Sequence, residues 1–182
     1  MVSERSLLAQ SSRIQFRWTT ESDLDAVLRL EQDVENRPFI IPWTREQHRE
    51  ACSNPDLAYL IIETRRASHM IGFLLLAGRE SPHHSIEFRR IIIADKGRGY
   101  GKEALKLVKQ VVFERWKAHR LWLDVFDYNH RARHVYASEA FIEEGVLREC
   151  VSVEGRFESL VVMSLLAQEY CDSQNTALNT TH

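Results

Sequence analysis

The chain has 182 residues, of which 44% are hydrophobic and 27% are charged, and its formal net charge is −2. No apolar run reaches the ~18 residues of a membrane span, and no basic stripe predicts nucleic-acid binding, so neither a membrane nor a nucleic acid is expected as a partner. Met1 to Ser12 lacks the apolar core of a secretory signal, and the cytoplasm is therefore the expected compartment.

The first part of the chain predicts one strand and two helices. Arg13 to Trp18 alternates polar and apolar residues, which is typical of a half-buried strand. Helical spacing of apolar residues follows from Glu21 to about Val34, and Thr44 to Cys52 predicts a second, short helix. The loop at 37–43 between these helices contains two prolines and four large apolar residues, so it packs over a small core or lines an acceptor pocket.

The middle of the chain predicts three strands. Leu57 to Thr64 and Met70 to Gly78 flank a polar turn and predict a β-hairpin. In the next strand, Ser85 to Ala94, the apolar residues change from even to odd positions across Arg89 and Arg90. This change of phase indicates a β-bulge, although a strand buried on both faces would also tolerate it.

The last part of the chain predicts a helix, a parallel strand and a closing hairpin. The helix after residue 101 has one apolar stripe, and Arg120 to Phe126 then forms a strand parallel to Ser85 to Ala94 by the right-handed crossover rule. A helix at 130–139 and strands at 141–153 and 157–166 follow. We expect one domain over residues 1–182, with an ordered core at about 12–170 and a disordered tail at 171–182.

The segment KGRGYGKEAL, residues 96–105, lies between a strand and a helix and predicts an anion site. Glycines permit tight turns and close approach of a ligand to the backbone, and the free N–H groups of a helix N-terminus favour phosphate. The candidate residues of this site are Lys96, Gly97, Arg98, Gly99, Tyr100, Gly101 and Lys102. The spacing fits neither the Walker A motif nor the G-x-G-x-x-G dinucleotide fingerprint.

The same K-x-x-G-x-G loop resembles the Q/R-x-x-G-x-G/A loop of the GNAT superfamily of N-acetyltransferases. A second segment, NHRARHVYASEAF at 129–141, resembles that family's N-x-x-A-x-x-x-Y-x-x-x-G-F signature. Helical spacing places Asn129, Ala132 and Tyr136 on one face, where they can meet one ligand. The amino-acid sequence around both segments is similar to that of the ribosomal-protein and spermidine acetyltransferase branches of this family.

The resemblance implies an α/β (α+β) fold with a mixed, mostly antiparallel sheet that is splayed in the middle and flanked by helices. It further implies acetyl-CoA as the acetyl donor, with its pyrophosphate on the glycine loop and Asn129 and Ala132 near the pantetheine. Backbone groups of the bulged strand would bind pantetheine and polarise the thioester, and they belong to Ile91, Ile92 and Ile93. Lys96 replaces the usual Gln or Arg, and Ala140 stands where the family has glycine.

Two residues are the candidates for proton transfer. The resemblance implies that Tyr136 protonates the departing thiolate, and matching the two pKa values predicts a modest lowering of the tyrosine pKa. Glu87 could take the proton of the amine, unless it forms an ion pair with Arg89 or Arg148.

The resemblance implies a small-molecule or peptide amine as the acceptor, with a ribosomal-protein N-terminus, a polyamine and another small amine all left open. Trp43, Phe39 and Glu35 are the candidate acceptor-contacting residues. The segment from Glu21 to Glu35 contains six acids and one arginine, which indicates either a solvated helix face or attraction of a cationic amine.

Three further points stay open or are set aside. A module that binds acyl-CoA without turnover is the alternative to an enzyme, and self-association is open. The three cysteines are odd in number and far apart, and the histidine pairs lack a third spaced ligand, so no metal is expected.

Overall fold

The computed structural model describes residues 6–179, and the side chains of 6–175. The helices of this range are α1 (Leu24–Gln32), α2 (Arg45–Ser53), α3 (Tyr100–Lys109), α4 (His130–Ser138) and α5 (Ala167–Asn179). The strands are β1 (Leu7–Gln10), β2 (Ile14–Trp18), β3 (Ala58–Thr64), β4 (Met70–Ala77), β5 (Ser85–Ile93), β6 (Arg120–Phe126), β7 (Ile142–Val153) and β8 (Arg156–Leu166). Short 3₁₀ turns cover Glu21–Asp23 and Arg37–Phe39, and a π-helical turn, Gln110–Arg115, continues α3.

The eight strands form one sheet in the order β1-β2-β3-β4-β5-β6-β8-β7. Every neighbouring pair is antiparallel except β5 and β6, which confirms the predicted mixed sheet. One core, which contains the apolar stripe of α3, lies on one face of the sheet. A second, smaller core lies on the other face under α1 and α2. No helix in the described range is long and apolar enough to cross a membrane.

The sheet opens between β5 and β6, as predicted. Their pairing is confined to Ser85–Glu87 against Arg120–Trp122. Beyond that point β5 continues against β4 alone, and β6 continues against β8 alone. The facing edges of the two strands are therefore free to contact a ligand.

The predicted bulge lies in β5 at Arg89. Phe88 opposes Leu76 on β4 and Arg90 opposes Leu75, so Arg89 has no partner in the register. Because of the extra residue, Phe88 and Ile91 both face the core under α3 although their numbers differ in parity.

The structure differs from the prediction at both chain ends. Strand β1 begins at Leu7, before the expected ordered core, because Leu8 is buried and its carbonyl accepts a hydrogen bond from Arg115. Helix α5 occupies 171–179, where disorder was predicted, and Tyr170 anchors it by stacking on Phe113 at 5.0 Å and donating to Glu114. Residues 180–182 of that predicted tail lie outside the described range.

Candidate active site

A cleft of about 520 Å³ lies where β5 and β6 separate. Its walls come from the bulged part of β5, the glycine loop, the start of α3, the end of β6 and the first turns of α4. Most of the predicted site residues line it, namely Glu35, Phe39, Ile91, Ile92, Ile93, Lys96, Gly97, Gly99, Tyr100, Gly101, Lys102, Asn129, Ala132 and Tyr136. Trp43, Glu87 and Arg98 are not among its lining residues.

The glycine loop presents unpaired backbone donors to one end of the cleft. Gly97 and Gly99 have φ of 79° and 78°, left-handed values that glycine adopts without strain. The amide of Glu103 donates to Gly99, and the described chain supplies no backbone acceptor for the amides of 100–102. These three donors and the positive end of the α3 dipole form the geometry that binds phosphate.

The basic side chains around the loop are paired with acids. Lys96 lies 3.0 Å from a carboxylate oxygen of Glu35, and Lys102 lies 3.3 Å from one of Glu139. Arg98 contacts Asp95 at 3.7 Å. The Lys96 and Arg98 pairs are at least partly exposed, and such pairs contribute little to stability, so a bound phosphate can compete for these two cations, whereas the partner of Lys102 is the buried Glu139.

Arg13, which the sequence patterns did not single out, fixes the outer side of the loop. Its guanidinium lies 4.5 Å from the centre of the Tyr100 ring and donates to the carbonyl of Arg98 at 2.9 Å. It also pairs with Glu103 at 3.3 Å. These contacts tie the start of β2 to the glycine loop, a long-range link that local spacing could not reveal.

The first turn of α4 forms the wall beside the loop. Asn129 is the N-cap of the helix, and its side-chain oxygen accepts from the amide of Ala132 at 3.1 Å. Its amide NH₂ therefore remains available as a donor. Arg131 also lines the cleft and was not predicted, although a basic residue inside the Asn-to-Ala signature was the available signal.

Tyr136 lies deeper in the cleft on the same helix. Its ring packs edge-on against Phe88, with centroids 6.4 Å apart, and tilts against Phe141 at 5.8 Å. Within the described residues no protein group hydrogen-bonds its hydroxyl. Burial, with a smaller effect of Asp124, raises the pKa of Tyr136 to about 12. The predicted lowering of this pKa is wrong, because desolvation of the phenolate outweighs any effect of the helix N-terminus.

The aromatic side chains of Phe39 and Phe126 also line the cleft, and Tyr128 packs against both without lining it. Phe126 stacks on Tyr128 with centroids 5.1 Å apart, and Phe39 lies 6.1 Å from Tyr128. The Tyr128 hydroxyl donates to the carbonyl of Pro38, which attaches the 37–43 loop to the end of β6. The sequence patterns identified Phe39 but not Tyr128.

Trp43 does not line the cleft. The Arg90 guanidinium sits over its ring, 4.8 Å from the centroid, and its amide donates to the buried carboxylate of Glu31. Arg90 also pairs with Glu31 and donates to the carbonyl of Ile41. Trp43 therefore stabilises the loop that contains Ile41 and does not itself contact the cleft.

The acid-rich segment is largely neutralised by bases. Asp23 pairs with Arg17 and Asp25 with Arg45. Glu31 lies between Arg90 and His48, and Glu35 pairs with Lys96. These pairs favour the solvated or structural interpretation of the segment over long-range attraction of a cationic amine.

Two carboxylates lie near the point where the sheet opens. Glu87 accepts from the guanidinium of Arg89 at 2.5 and 3.1 Å, the ion pair that was the alternative to a base role. Asp124 on β6 lines the cleft. Burial and the negative charge of Glu87 raise the pKa of Asp124, against a smaller opposing effect of Arg89. The sequence analysis missed Asp124, although an acid within the apolar strand LWLDVF was a visible signal.

Residues 13–141 match the acetyltransferase (GNAT) domain family. The chain belongs to this family. Among curated proteins it is similar to the spermidine N(1)-acetyltransferase of Vibrio cholerae, with 29% identity over 103 residues, which are 56% of this chain and 60% of that protein. The matched region thus spans less than two thirds of that relative's length.

Solved structures share the fold over most of both chains. The spermidine N-acetyltransferase from Vibrio cholerae in complex with CoA and spermine superposes with a TM-score of 0.78 at 24% identity, covering 88% of this chain and 99% of the other. A dodecameric structure of that enzyme in an intermediate state has a TM-score of 0.74, with 88% and 97% coverage at 24% identity. At this identity the likeness establishes the splayed sheet and its helices.

Proposed function

We propose that this protein transfers an acetyl group from acetyl-CoA to a primary amine by direct attack in a ternary complex. The observation that carries the proposal is one cleft with phosphate-binding donors at one end and a half-buried, protonated tyrosine at the point where the sheet opens. Acetyl-CoA would supply an activated acetyl group as a thioester. Membership of the acetyltransferase family supports this choice of donor.

Different residues of the cleft would bind different parts of acetyl-CoA. The amides of 100–102 would hold the pyrophosphate, with Lys96 and Lys102 as point charges beside it. The free edge of β5 from Phe88 to Ile93 would supply backbone hydrogen bonds to the pantetheine and to the thioester oxygen. The NH₂ group of Asn129 would add a donor from the facing wall.

Tyr136 would act on the leaving sulfur. With a pKa of about 12 its hydroxyl is protonated throughout the neutral range, and no protein group in the described chain competes for it. Complete transfer of its proton to a thiolate of ordinary pKa is uphill, so the phenol acts first as a hydrogen-bond donor while the carbon–sulfur bond breaks. A protein that only binds acyl-CoA has no need of this group.

The acceptor class that we propose is a polyamine or another small primary amine. The curated relative is named for spermidine, and a neighbouring structure contains spermine. The aromatic rings of Phe39 and Phe126 line the cleft and suit the methylene segments of such a ligand, and Asp124 offers it a carboxylate. A peptide N-terminus would use the same amine chemistry.

A panel of amines tests the proposal. Spermidine, spermine, a short alkyl monoamine and a basic peptide with a free N-terminus would each be incubated with protein and acetyl-CoA, and free CoA would be measured with a thiol reagent. We expect release above the amine-free rate with at least one small amine. CoA binding without release for every amine would favour the sensor module, and absence of CoA binding would refute both functions.

We also propose that the chain self-associates through β7. This strand is at the end of the sheet and pairs only with β8 within the described range. Ile142, Val146 and Leu147 on it are about half exposed, at 55%, 49% and 48%. The dodecameric neighbour supports self-association as such, and the exposed apolar edge of β7 is the reason for placing it here.

A further inference from the structure

Asp124 lies on the face of the sheet from which an acceptor would approach. Leu121, Leu123 and Val125 of β6 are buried in the core under α3, so the alternate residue Asp124 points to the other face. Glu87 pairs in register with Trp122 and thus shares that face. Asp124 lies two residues past this last paired position, where β5 and β6 separate.

The carboxylate of Asp124 has no hydrogen bond or ion pair to any residue that the structure describes. The charged groups that face it are Glu87 and Arg89 from β5, and Tyr136 faces it from α4. On β8 its register partner is Val162, which has no titratable group. The carboxylate of Glu87 forms an ion pair with Arg89, whereas Asp124 lines the cleft.

Tyr136 and Asp124 interact across the opening of the sheet, because the charge of Asp124 contributes to the raised pKa of the phenol. One group is a neutral acid and the other an unpaired carboxylate. A thioester held along the free edge of β5 would lie between them. This is the arrangement that acyl transfer to an amine requires.

We propose that Asp124 is the general base that takes the proton of the incoming ammonium, an inference that rests on the proposed function. The carboxylate attracts the cation and accepts one proton, which leaves a neutral amine. The nitrogen–carbon bond then forms and the carbon–sulfur bond breaks. Tyr136 gives its proton to sulfur, and the surplus proton on nitrogen restores the phenol. Asp124 finally releases its proton to solvent, so the products are the amide, CoA thiol and one proton.

The raised pKa of Asp124 suits it to this role, since a carboxylate of raised pKa is a stronger base than an ordinary aspartate, and its exposed side chain lines the cleft where an amine can reach it. The ion pair of Glu87 with Arg89 makes that carboxylate a weaker competitor. Its negative charge still serves the site, because it adds to the basicity of Asp124.

The test compares Asp124→Asn with Glu87→Gln over pH 6–10 using the best acceptor from the panel. Asn is isosteric and Asp124 makes no protein hydrogen bond in the described chain, so the fold and the affinity for CoA should hold; Asp124→Ala provides a second variant. For Asp124→Asn we expect kcat/KM for the amine to fall by about a hundredfold at pH 7. For this variant the logarithm of kcat/KM should rise with unit slope as the pH increases toward the amine pKa, because only the neutral amine can react.

The Glu87→Gln variant removes a charge that raises the pKa of Asp124, so its kcat/KM at pH 7 should fall by much less than that of Asp124→Asn, and its pH profile should stay shallower than unit slope. If Asp124→Asn retained the wild-type rate and profile, or if Glu87→Gln alone gained the unit slope, the inference would be overturned while the acetyltransferase function stood. A wild type that binds CoA but acetylates no amine would instead overturn the proposed function, and the base with it.

Discussion

Tyr136 combines two properties that are rarely found in a packing residue. Its ring is held between Phe88 and Phe141, yet its hydroxyl has no protein partner in the described chain. The side chain is half-buried and lines the cleft, so a bound ligand can be the hydrogen-bond partner of the hydroxyl. The arrangement therefore favours a role toward a ligand over a role in the fold.

Replacing Tyr136 by Phe should separate chemistry from binding. The ring contacts remain, so the affinity for acetyl-CoA should stay within a few-fold of wild type. Turnover should fall by about a hundredfold, since the donor to the leaving sulfur is lost. Single-turnover kinetics with the best amine would measure this effect. If Tyr136→Phe kept most of the wild-type single-turnover rate, Tyr136 would be a packing residue only.

A stability measurement provides a readout for Tyr136 besides activity. Its pKa is about 12 in the folded state and about 10 when unfolded, so the folded chain binds more protons between these values. The free energy of unfolding of the wild type should therefore fall, relative to Tyr136→Phe, as pH rises from 10 to 12. Parallel pH curves for the two proteins would contradict the raised pKa.

Ala140 carries backbone strain that glycine would relieve. It has φ of 71°, and the amides of Ala140 and Phe141 donate to the carbonyls of Ala137 and Tyr136, which is the Schellman arrangement at the end of α4. A left-handed alanine costs roughly 1 kcal/mol. Ala140→Gly should thus stabilise the protein by about 1 kcal/mol and raise its melting temperature by about 2–4 °C.

Ala137→Gly is the matched control for that change. It lies on the exposed side of the same helix one turn earlier, and it should destabilise the protein by about 1 kcal/mol. Thermal unfolding of the wild type, Ala140→Gly and Ala137→Gly would measure whether stability rises in the first variant and falls in the second. Equal destabilisation by the two glycines would show that position 140 is not strained.

At the scale of elements, the glycine loop contains glycines of two kinds. Gly97 needs its left-handed φ, whereas Gly101 is in the first turn of α3 and has no such requirement. A methyl group at position 101 would meet only the Ile93 side chain, at an ordinary 3.8 Å. Neither conformation nor protein packing demands glycine at 101, which leaves close approach of a ligand as its physical reason.

Gly101→Ala should therefore change folding and binding in opposite directions. Helix propensity predicts stabilisation of the free protein by about 0.5–1 kcal/mol. Loss of close approach to the backbone amides should raise the dissociation constant of acetyl-CoA by about tenfold or more, equivalent to about 1.4 kcal/mol. Thermal unfolding and calorimetric titration would measure the two effects.

Gly97→Ala is the contrasting variant. Its methyl group would enter open space, but its left-handed φ would cost about 1 kcal/mol or more of stability. Unchanged CoA affinity in Gly101→Ala would mean that the loop is structural and that the phosphate lies elsewhere.

These elements also show why part of the site could be predicted and part could not. The glycine spacing, the change of phase at Arg89 and the Asn-to-Tyr signature are local patterns, and the structure has the loop, the bulge and the helix face they indicate. Arg13 and Trp43 depend on contacts between distant segments, with Tyr100 and Arg90 respectively. Such contacts are set by tertiary packing, which residue spacing does not encode.

At the scale of the whole molecule, β7 is the least protected strand of the sheet. Val146 and Leu147 are consecutive, so they point to opposite faces, and both are about half exposed. Phe157 at the start of β8 is 69% exposed. A long edge strand with apolar side chains on both faces is prone to pair with another chain. This accounts physically for the proposed self-association.

The double variant Val146→Lys, Leu147→Lys should dissociate the assembly without unfolding the chain, because both side chains are already half solvated. Val34→Lys is the matched control, since Val34 is 83% exposed and follows α1, outside β7. Sedimentation velocity should show wild type and control as multiples of the chain mass and the double variant as a single chain.

Cys150 is on β7 and Cys171 is on α5, and both are exposed in the isolated chain. Alkylation of Cys150 should therefore be slower in the wild type than in the double variant, while Cys171 reacts alike in both. A wild type that sediments as a single chain, with Cys150 alkylated at the same rate in both proteins, would show that the edge of β7 stays in solvent.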